Sequence, residues 1–275
     1  MGVAFRLATV SLCTVLIATW NVNGLRARLD YFLDWIGARK PDIVGLQELK
    51  LQEESFPHAQ LEALGYRSVV YGQKSWNGVA LLSRSAEFEL VRRGLDGQEH
   101  FGSRLITARV GEVEVCAVYC PNGKSVEHSD YPKKLAWFDA LRGHLERWHD
   151  PTKALVLCGD FNICPSELDT WDEAGHADRI FHTQAERQRF QSLLSWGLED
   201  TFRRQHPVSR EFSWWDYRGG SFHRNHGLRI DMLLATAPVV ARTTGVVIDR
   251  DYRKKREGRT ASDHAPVLLE LGRSA

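Results

Sequence analysis

An α/β fold made of two packed β-sheets covered by helices is predicted by three features of this sequence. Close to ten short apolar runs bounded by turn residues read as strands, and only three or four stretches carry helical spacing. A single sheet holding that many strands would have to curl or split. Polar residues, finally, collect where the apolar runs end: Asn21 and Asn23, Gln47 and Glu48, Tyr119 to Asn122, Asp160 and Asn162, Asp263 and His264. Several strand ends are therefore expected to converge on one polar cleft.

Val3 to Ile17 is an apolar run that superficially resembles a signal peptide. Its leading segment is barely basic, Thr and Ser interrupt it, and it is too short to span a bilayer. Thr14 to Asn23 reads instead as a buried strand running into a polar tip. The expectation is an N-terminal extension over 1–13, a single domain over 14–275, no export and no membrane association. Apolar positions 29, 32, 33 and 36 give Leu29–Ala38 one helical face, and Pro41 then opens the strand Asp42–Gln47. Further strands are expected at Tyr66–Tyr71, Gly78–Ser83, Ile106–Val110, Val113–Tyr119, Leu155–Cys158, Leu228–Ala235 and Val267–Leu271. Helices are expected at Pro132–Trp148 and Thr183–Trp196.

The 275 residues are 43% hydrophobic and 26% charged, which excludes disordered, collagenous and membrane-spanning classes. Cysteines 13, 116, 120, 158 and 164 lack paired metal spacing and predict reduced thiols in a cytoplasmic protein. The net charge of +1 conceals an asymmetry: thirteen Lys and Arg face six Asp and Glu between Thr201 and Ser262, against 23 and 29 elsewhere. Interleaved with Phe212, Trp214, Trp215, Tyr217 and Phe222, that basic stretch suits a polyanion with stackable bases. Solvated surface is the commoner meaning of such clusters.

Leu155-Val-Leu-Cys-Gly-Asp-Phe-Asn162 ends an apolar run with an acid and an amide two residues apart. On an extended backbone both face one side, where a carboxylate beside a carboxamide holds and polarises a water. Capping of the loop before Pro165 is an equal reading of the same pair. Asn21 and Glu48 add oxygen donors at two further strand ends, a set suited to magnesium with Glu48 as primary ligand. Asp263 and His264 adjoin, and both serve one site only if the backbone turns there. His264 needs an orienting partner, and Asp231, an acid in an otherwise apolar strand, needs a charge partner. Pairing them meets both needs and raises the imidazole pKa, so that it donates to a phosphoryl oxygen.

Seven motifs in order resemble the exonuclease III family of apurinic/apyrimidinic endonucleases, within the larger DNase I-like group. They are Trp-Asn-Val-Asn-Gly-Leu-Arg-Ala-Arg (20–28), Pro-Asp-Ile-Val-Gly-Leu-Gln-Glu (41–48), Tyr-Cys-Pro-Asn-Gly (119–123), Gly-Asp-Phe-Asn (159–162), Phe-Ser-Trp-Trp-Asp-Tyr-Arg (212–218), Gly-Leu-Arg-Ile-Asp (227–231) and Ser-Asp-His-Ala-Pro (262–266). The resemblance implies a four-layer αββα sandwich of two mixed sheets and magnesium-dependent cleavage of duplex DNA 5′ to abasic sites, leaving a 3′-hydroxyl. Manganese is expected to substitute, and 3′–5′ exonuclease and 3′-end cleaning to accompany it, in a monomer. Glu48 is implied as a metal ligand, with Asn21, Asp160, Asn162, Asp263 and His264 around it. Asp160 is implied to activate water that Asn162 orients. His264, held by Asp231, and Tyr119 and Asn122 contact the phosphate. Trp214 and Leu228 wall the pocket for a base-free sugar, and Asn23, Arg26, Arg28, Lys124, Arg218, Arg224 and the 253–259 loop hold the DNA backbone.

Leu49 stands where many relatives carry Thr, Cys120 occupies a variable position, and Asn23 stands where some members carry Asp. Whether one or two ions act is left open. Phosphodiesterases of the same fold acting on RNA, inositol phosphates or sphingomyelin share the acidic and histidine elements, as would a catalytically silent DNA-binding protein. The stretch 212–231 favours DNA.

Overall fold

The computed structural model describes residues 14–272. Twelve strands form two six-stranded sheets. The first contains β1 (Thr14–Asn21), β2 (Ile43–Gln47), β3 (Arg67–Tyr71), β4 (Val79–Ser83), β11 (Thr243–Ile248) and β12 (Val267–Gly272), in the order β11-β12-β1-β2-β4-β3. The second contains β5 (Phe88–Arg93), β6 (Leu105–Val110), β7 (Val113–Tyr119), β8 (Leu155–Asp160), β9 (Leu198–Asp200) and β10 (Asp231–Thr236), in the order β5-β6-β7-β8-β10-β9. Three longer helices are α1 (Leu25–Arg39), α3 (Asp130–Trp148) and α5 (Gln184–Ser195). The short ones are α2 (His58–Glu62), α4 (Glu173–His176), α6 (Thr201–Gln205), α7 (Ser221–Arg224) and α8 (Ala237–Val240).

Strand alternation builds the layers. Ile17, Ile43, Val79 and Leu81 of the first sheet meet Ala117, Val156, Cys158 and Leu233 of the second in a buried inter-sheet core. The opposite face of the first sheet packs Ala18, Trp20 and Val44 against Phe32, Trp35 and Ile36 of α1. That of the second packs Cys116, Val118 and Leu157 against Trp137, Phe138 and Leu141 of α3 and Phe190 of α5. The result is the expected αββα sandwich.

Topology then gathers the strand ends. β1 runs parallel to β2, with Asn21 beside Gln47, and β7 runs parallel to β8, with Tyr119 beside Asp160. The antiparallel β10 begins with Asp231 opposite Asp160. Carboxyl ends from both sheets thus open on one edge.

Three strands had no clear sequence signal. β5 is a mostly exposed edge with a bulge between Leu90 and Arg92, β11 is an edge interrupted by Gly245, and β9 has three residues. The strand expected from Leu228 starts at Asp231, because Leu228 forms isolated bridges to Thr170 and Trp214 instead. Residues 1–13, expected as an extension, and Cys13 lie outside the described residues. The other four cysteines are buried thiols. Among the described residues no helix is long and apolar enough to cross a membrane.

Candidate active site

Asn21 ties the two sheets together at the cleft. Its amide nitrogen donates to Glu48 Oε1 at 3.0 Å and to Asp160 Oδ2 at 2.9 Å, while its oxygen accepts the Asn23 backbone N–H at 2.9 Å. Glu48 also pairs with Lys50 at 2.8 Å. Burial alone would raise the Glu48 carboxyl, but the Lys50 charge and the Asn21 hydrogen bond bring it below its ordinary value. Asp160 behaves oppositely. Burial pushes it up to about 7, Asp231 and Glu48 add to the rise, and the charge on His264 and the Asn21 hydrogen bond only partly oppose it.

Gly159 explains why this acid follows a glycine. Its φ is 149° and a Cβ there would lie 1.8 Å from the Val118 carbonyl oxygen on β7. Asp160 and Asn162 do converge, but not by strand alternation. Asn162 has a left-handed φ of 50°, its N–H donates to Asp160 Oδ1 at 2.9 Å, and its amide donates to Asp160 Oδ2 at 3.3 Å and the Cys120 carbonyl at 3.0 Å. The turn, rather than extended geometry, aims both side chains.

His264 Nδ1 lies 2.9 Å from Asp231 Oδ2, and its Nε2 is 4.0 Å from Asp160 Oδ2. Burial alone would lower the imidazole, but the Asp231 charge and hydrogen bond outweigh it and hold the ring at about 10. Ser213, which the sequence reading missed, donates to Asp231 Oδ2 at 2.7 Å and accepts the Asp231 N–H at 3.0 Å. A lone serine between aromatic residues carries no sequence signal of that role. The backbone bends at Asp263, so its side chain and that of His264 do serve one region. Tyr119 is pushed well above the ordinary phenol value by burial, then by Glu48 and Asp160, and stays a protonated donor.

Glu48, Asp160 and His264 each offer a ligand atom within 4.8 Å of the others. Two carboxylate oxygens so close, with the buried one raised to about 7, form a hard, anionic donor set that fits a divalent oxygen-seeking cation. The other residues of the wider ligand set read from the sequence surround this trio. Asn21 turns its donor, not its oxygen, toward the carboxylates. Asn162 Oδ1 accepts from Asn122 at 3.3 Å. Asp263 accepts from Asn23 at 2.8 Å and from the Trp214 indole at 3.0 Å, and stands outside the trio. His264 belongs to the trio through one ring nitrogen, while its Nδ1 is engaged by Asp231.

The Endonuclease/Exonuclease/phosphatase family model matches residues 18–264. The chain belongs to that family. Exodeoxyribonuclease III of Haemophilus influenzae is 36% identical to this family member over 266 residues, covering 92% of this chain and 98% of that protein. An AP endonuclease structure from Archaeoglobus fulgidus superposes with a TM-score of 0.88 at 33% identity, covering 93% and 98% of the two chains. A 3′ phosphatase from Neisseria, bound to a product DNA hairpin, has a TM-score of 0.86 at 39% identity, covering 94% and 99%. These relatives place the family member beside the exonuclease III enzymes that its motifs resemble.

The residues expected to grip DNA divide into two groups in the family member. Arg26 is exposed, and Lys124, also exposed, pairs with Asp130 at 2.8 Å. Arg218 and Arg224 are exposed as well, each with a partner close in sequence, and Arg28 is partly buried. Arg28 donates to the Asn23 carbonyl and to Tyr217 Oη at 3.2 Å, Arg218 pairs with Asp216 at 2.8 Å, and Arg224 donates to the Gly219 carbonyl. Asn23 itself accepts from Lys50 at 2.6 Å. Part of the late positive charge is engaged within the protein as well. Arg229 is buried between Asp169 and Asp200 at 2.6 and 2.7 Å, Arg253 donates to two carbonyls, and Arg250 stacks on Phe222. Phe212 and Trp215 belong to the core, so that stretch is only in part a stacking surface.

Trp214 and Leu228 do meet, bridged to each other, and Trp214 is bridged to His264. Phe181, unforeseen, packs with them against Cys164 and Ile230. Beside Glu48 and Tyr119 a recess of about 450 Å³ extends past Lys50, Arg104, Lys124 and the exposed Trp76. Trp76 and Arg104 were also unforeseen, since nothing local distinguishes them from surface residues.

Proposed function

We propose that this family member is a DNA repair nuclease, a metal-dependent hydrolase of DNA phosphate esters that cuts 5′ to abasic sites and trims or cleans 3′ ends. The observation that carries this reading is the split of charge across 4.0 Å: an acid raised to about 7 facing an imidazolium held at about 10. A phosphodiester repels anionic nucleophiles, so hydrolysis needs a base for water on one side of phosphorus and donors on its oxygens. Asp160 accepts the water's proton, with the Asn162 amide holding that water in line. His264 Nε2 and the Tyr119 hydroxyl donate to the phosphoryl oxygens, and Asn122 completes the cradle. Glu48 and Asp160 would hold magnesium, or manganese in its place, which when bound supplies Lewis-acid relief of charge on the phosphate and the leaving oxygen. The protein is read as a cytoplasmic monomer.

Abasic incision and 3′-end processing are both served by such a site. Leu228 is 5% exposed with Phe181 and Trp214 packed on it, which adds Phe181 to the apolar walls proposed for the base-free sugar. Two duplexes decide between them, one with an internal tetrahydrofuran abasic analogue and one with a 3′-phosphate, each incubated with magnesium or with chelator. Metal-dependent cutting of either supports the nuclease reading. The ratio of the two rates assigns the main activity, and inertness toward both overturns the proposal.

A further inference from the structure

Lys134 is 0% exposed, an uncommon place for a lysine, and its ammonium donates to the Asn162 carbonyl at 2.7 Å and to Glu186 Oε1 at 2.5 Å. Glu186 is equally buried. Its Oε1 also accepts the Phe181 N–H at 3.1 Å, and its Oε2 accepts the Thr183 hydroxyl at 2.8 Å. The lysine stem underlies Gly123, where an added Cβ would lie 2.9 Å from Lys134 Cδ. Three turns therefore rest on one ion pair: Asn122–Gly123, Asn162, and Phe181–Thr183. Asn162, with φ 50°, and Phe181, with φ 74°, are both held in backbone conformations that such residues rarely adopt.

We infer that the buried Lys134–Glu186 pair is a positioning device that locks the water-orienting Asn162 turn to the Phe181 pocket-wall turn, in fixed register with Asn122. The inference rests on the catalytic reading of Asp160 and Asn162 above. A buried ion pair is poor at adding stability, because an apolar pair of similar volume commonly does as well. Its geometry accounts for its presence here. Only a long side chain with several donors reaches from α3 to a carbonyl on the turn after β8 and to a carboxylate on α5 at once.

The test uses the full chain on the 3′-phosphate duplex. The double variant K134M/E186L removes both charges together, so that neither is left buried alone. Its melting temperature is expected within a few degrees of wild type and its KM for DNA within about twofold, while kcat falls at least about tenfold, the size of effect that loss of a well-set catalytic geometry produces. E186Q, which keeps an acceptor but leaves the Lys134 charge buried without a counter-charge, is expected to lower the melting temperature, with a smaller fall in kcat at unchanged KM in the folded protein. Wild-type kcat in either folded variant, or a fall in kcat matched by a proportionate rise in KM and loss of melting temperature, overturns the inference. D160N is assayed alongside. If it retains turnover, the catalytic reading is at fault rather than the pair.

Discussion

Asp160 sits where burial and two neighbouring carboxylates all disfavour its charge, which turns an ordinary acid into a base suited to neutral pH. Asp160→Ala is expected to lower kcat by about 10²–10⁴-fold with the fold retained, read by a nicking assay beside a circular-dichroism melt. His264 depends on Asp231 for its charge. With the ring held at about 10, a step that needs the imidazolium proceeds in the wild type through mildly alkaline pH. Asp231→Asn removes the charge that raises the ring, so its pKa falls and the alkaline limit of activity moves down toward neutrality. A pH–rate profile whose alkaline limb does not move would contradict this role. The sequence made both partners legible, since an acid alone in an apolar strand needs a charge partner and an imidazole at a strand entry needs an orienting one. Ser213 was not legible, because it lies 18 residues from Asp231 and only the fold joins them.

At the scale of elements, the end of β8 depends on a backbone requirement at Gly159. Gly159→Ala would drive a methyl group into the β7 backbone at Val118, so a loss of about 3 kcal/mol or more is expected by denaturant titration. The turn carrying Asp169 is held to β9 and to the strand entry at Arg229 by buried ion pairs. Burial would raise the Asp169 carboxyl, but Arg229 more than reverses that and holds it below 3.8. Its contribution is therefore complete above the unfolded-chain value near 3.8 and is lost as pH falls through the lower folded value. Asp169→Asn is expected to cost about 3 kcal/mol at pH 7, with the deficit shrinking toward pH 3; an equal deficit at both would refute it. Long, strongly patterned elements such as α1, α3 and β4 were readable locally. The edge strands β5 and β11 were not, because exposed edges abandon apolar alternation in favour of charge and bulges.

The whole molecule is two sheets whose carboxyl ends share one edge, with Asn21 reaching from one sheet to Asp160 on the other. Cation binding there should stiffen the sandwich across its cleft. Magnesium in excess is expected to raise the melting temperature of the wild type but not of Glu48→Gln, because a ligand bound only by the folded state stabilises it by mass action. Equal shifts in the two proteins would move the cation away from Glu48.

The local sequence determined the chemistry available: which acids, amides and imidazole stand at strand ends, and which apolar runs must pair to bury their faces. Spacing alone could do this because strand alternation and turn preference act over a few residues. Tertiary structure decided which polar atoms face one another. It turned the Asn21 donor to the carboxylates, engaged the Asp263 oxygens with Asn23 and Trp214, and buried Arg229 and Arg253 among carboxylates and carbonyls. Charge and hydrogen bonding are satisfied by partners brought close in space, and positions such as Asn23 and Asp263, 240 residues apart, meet only when β1 pairs with β12.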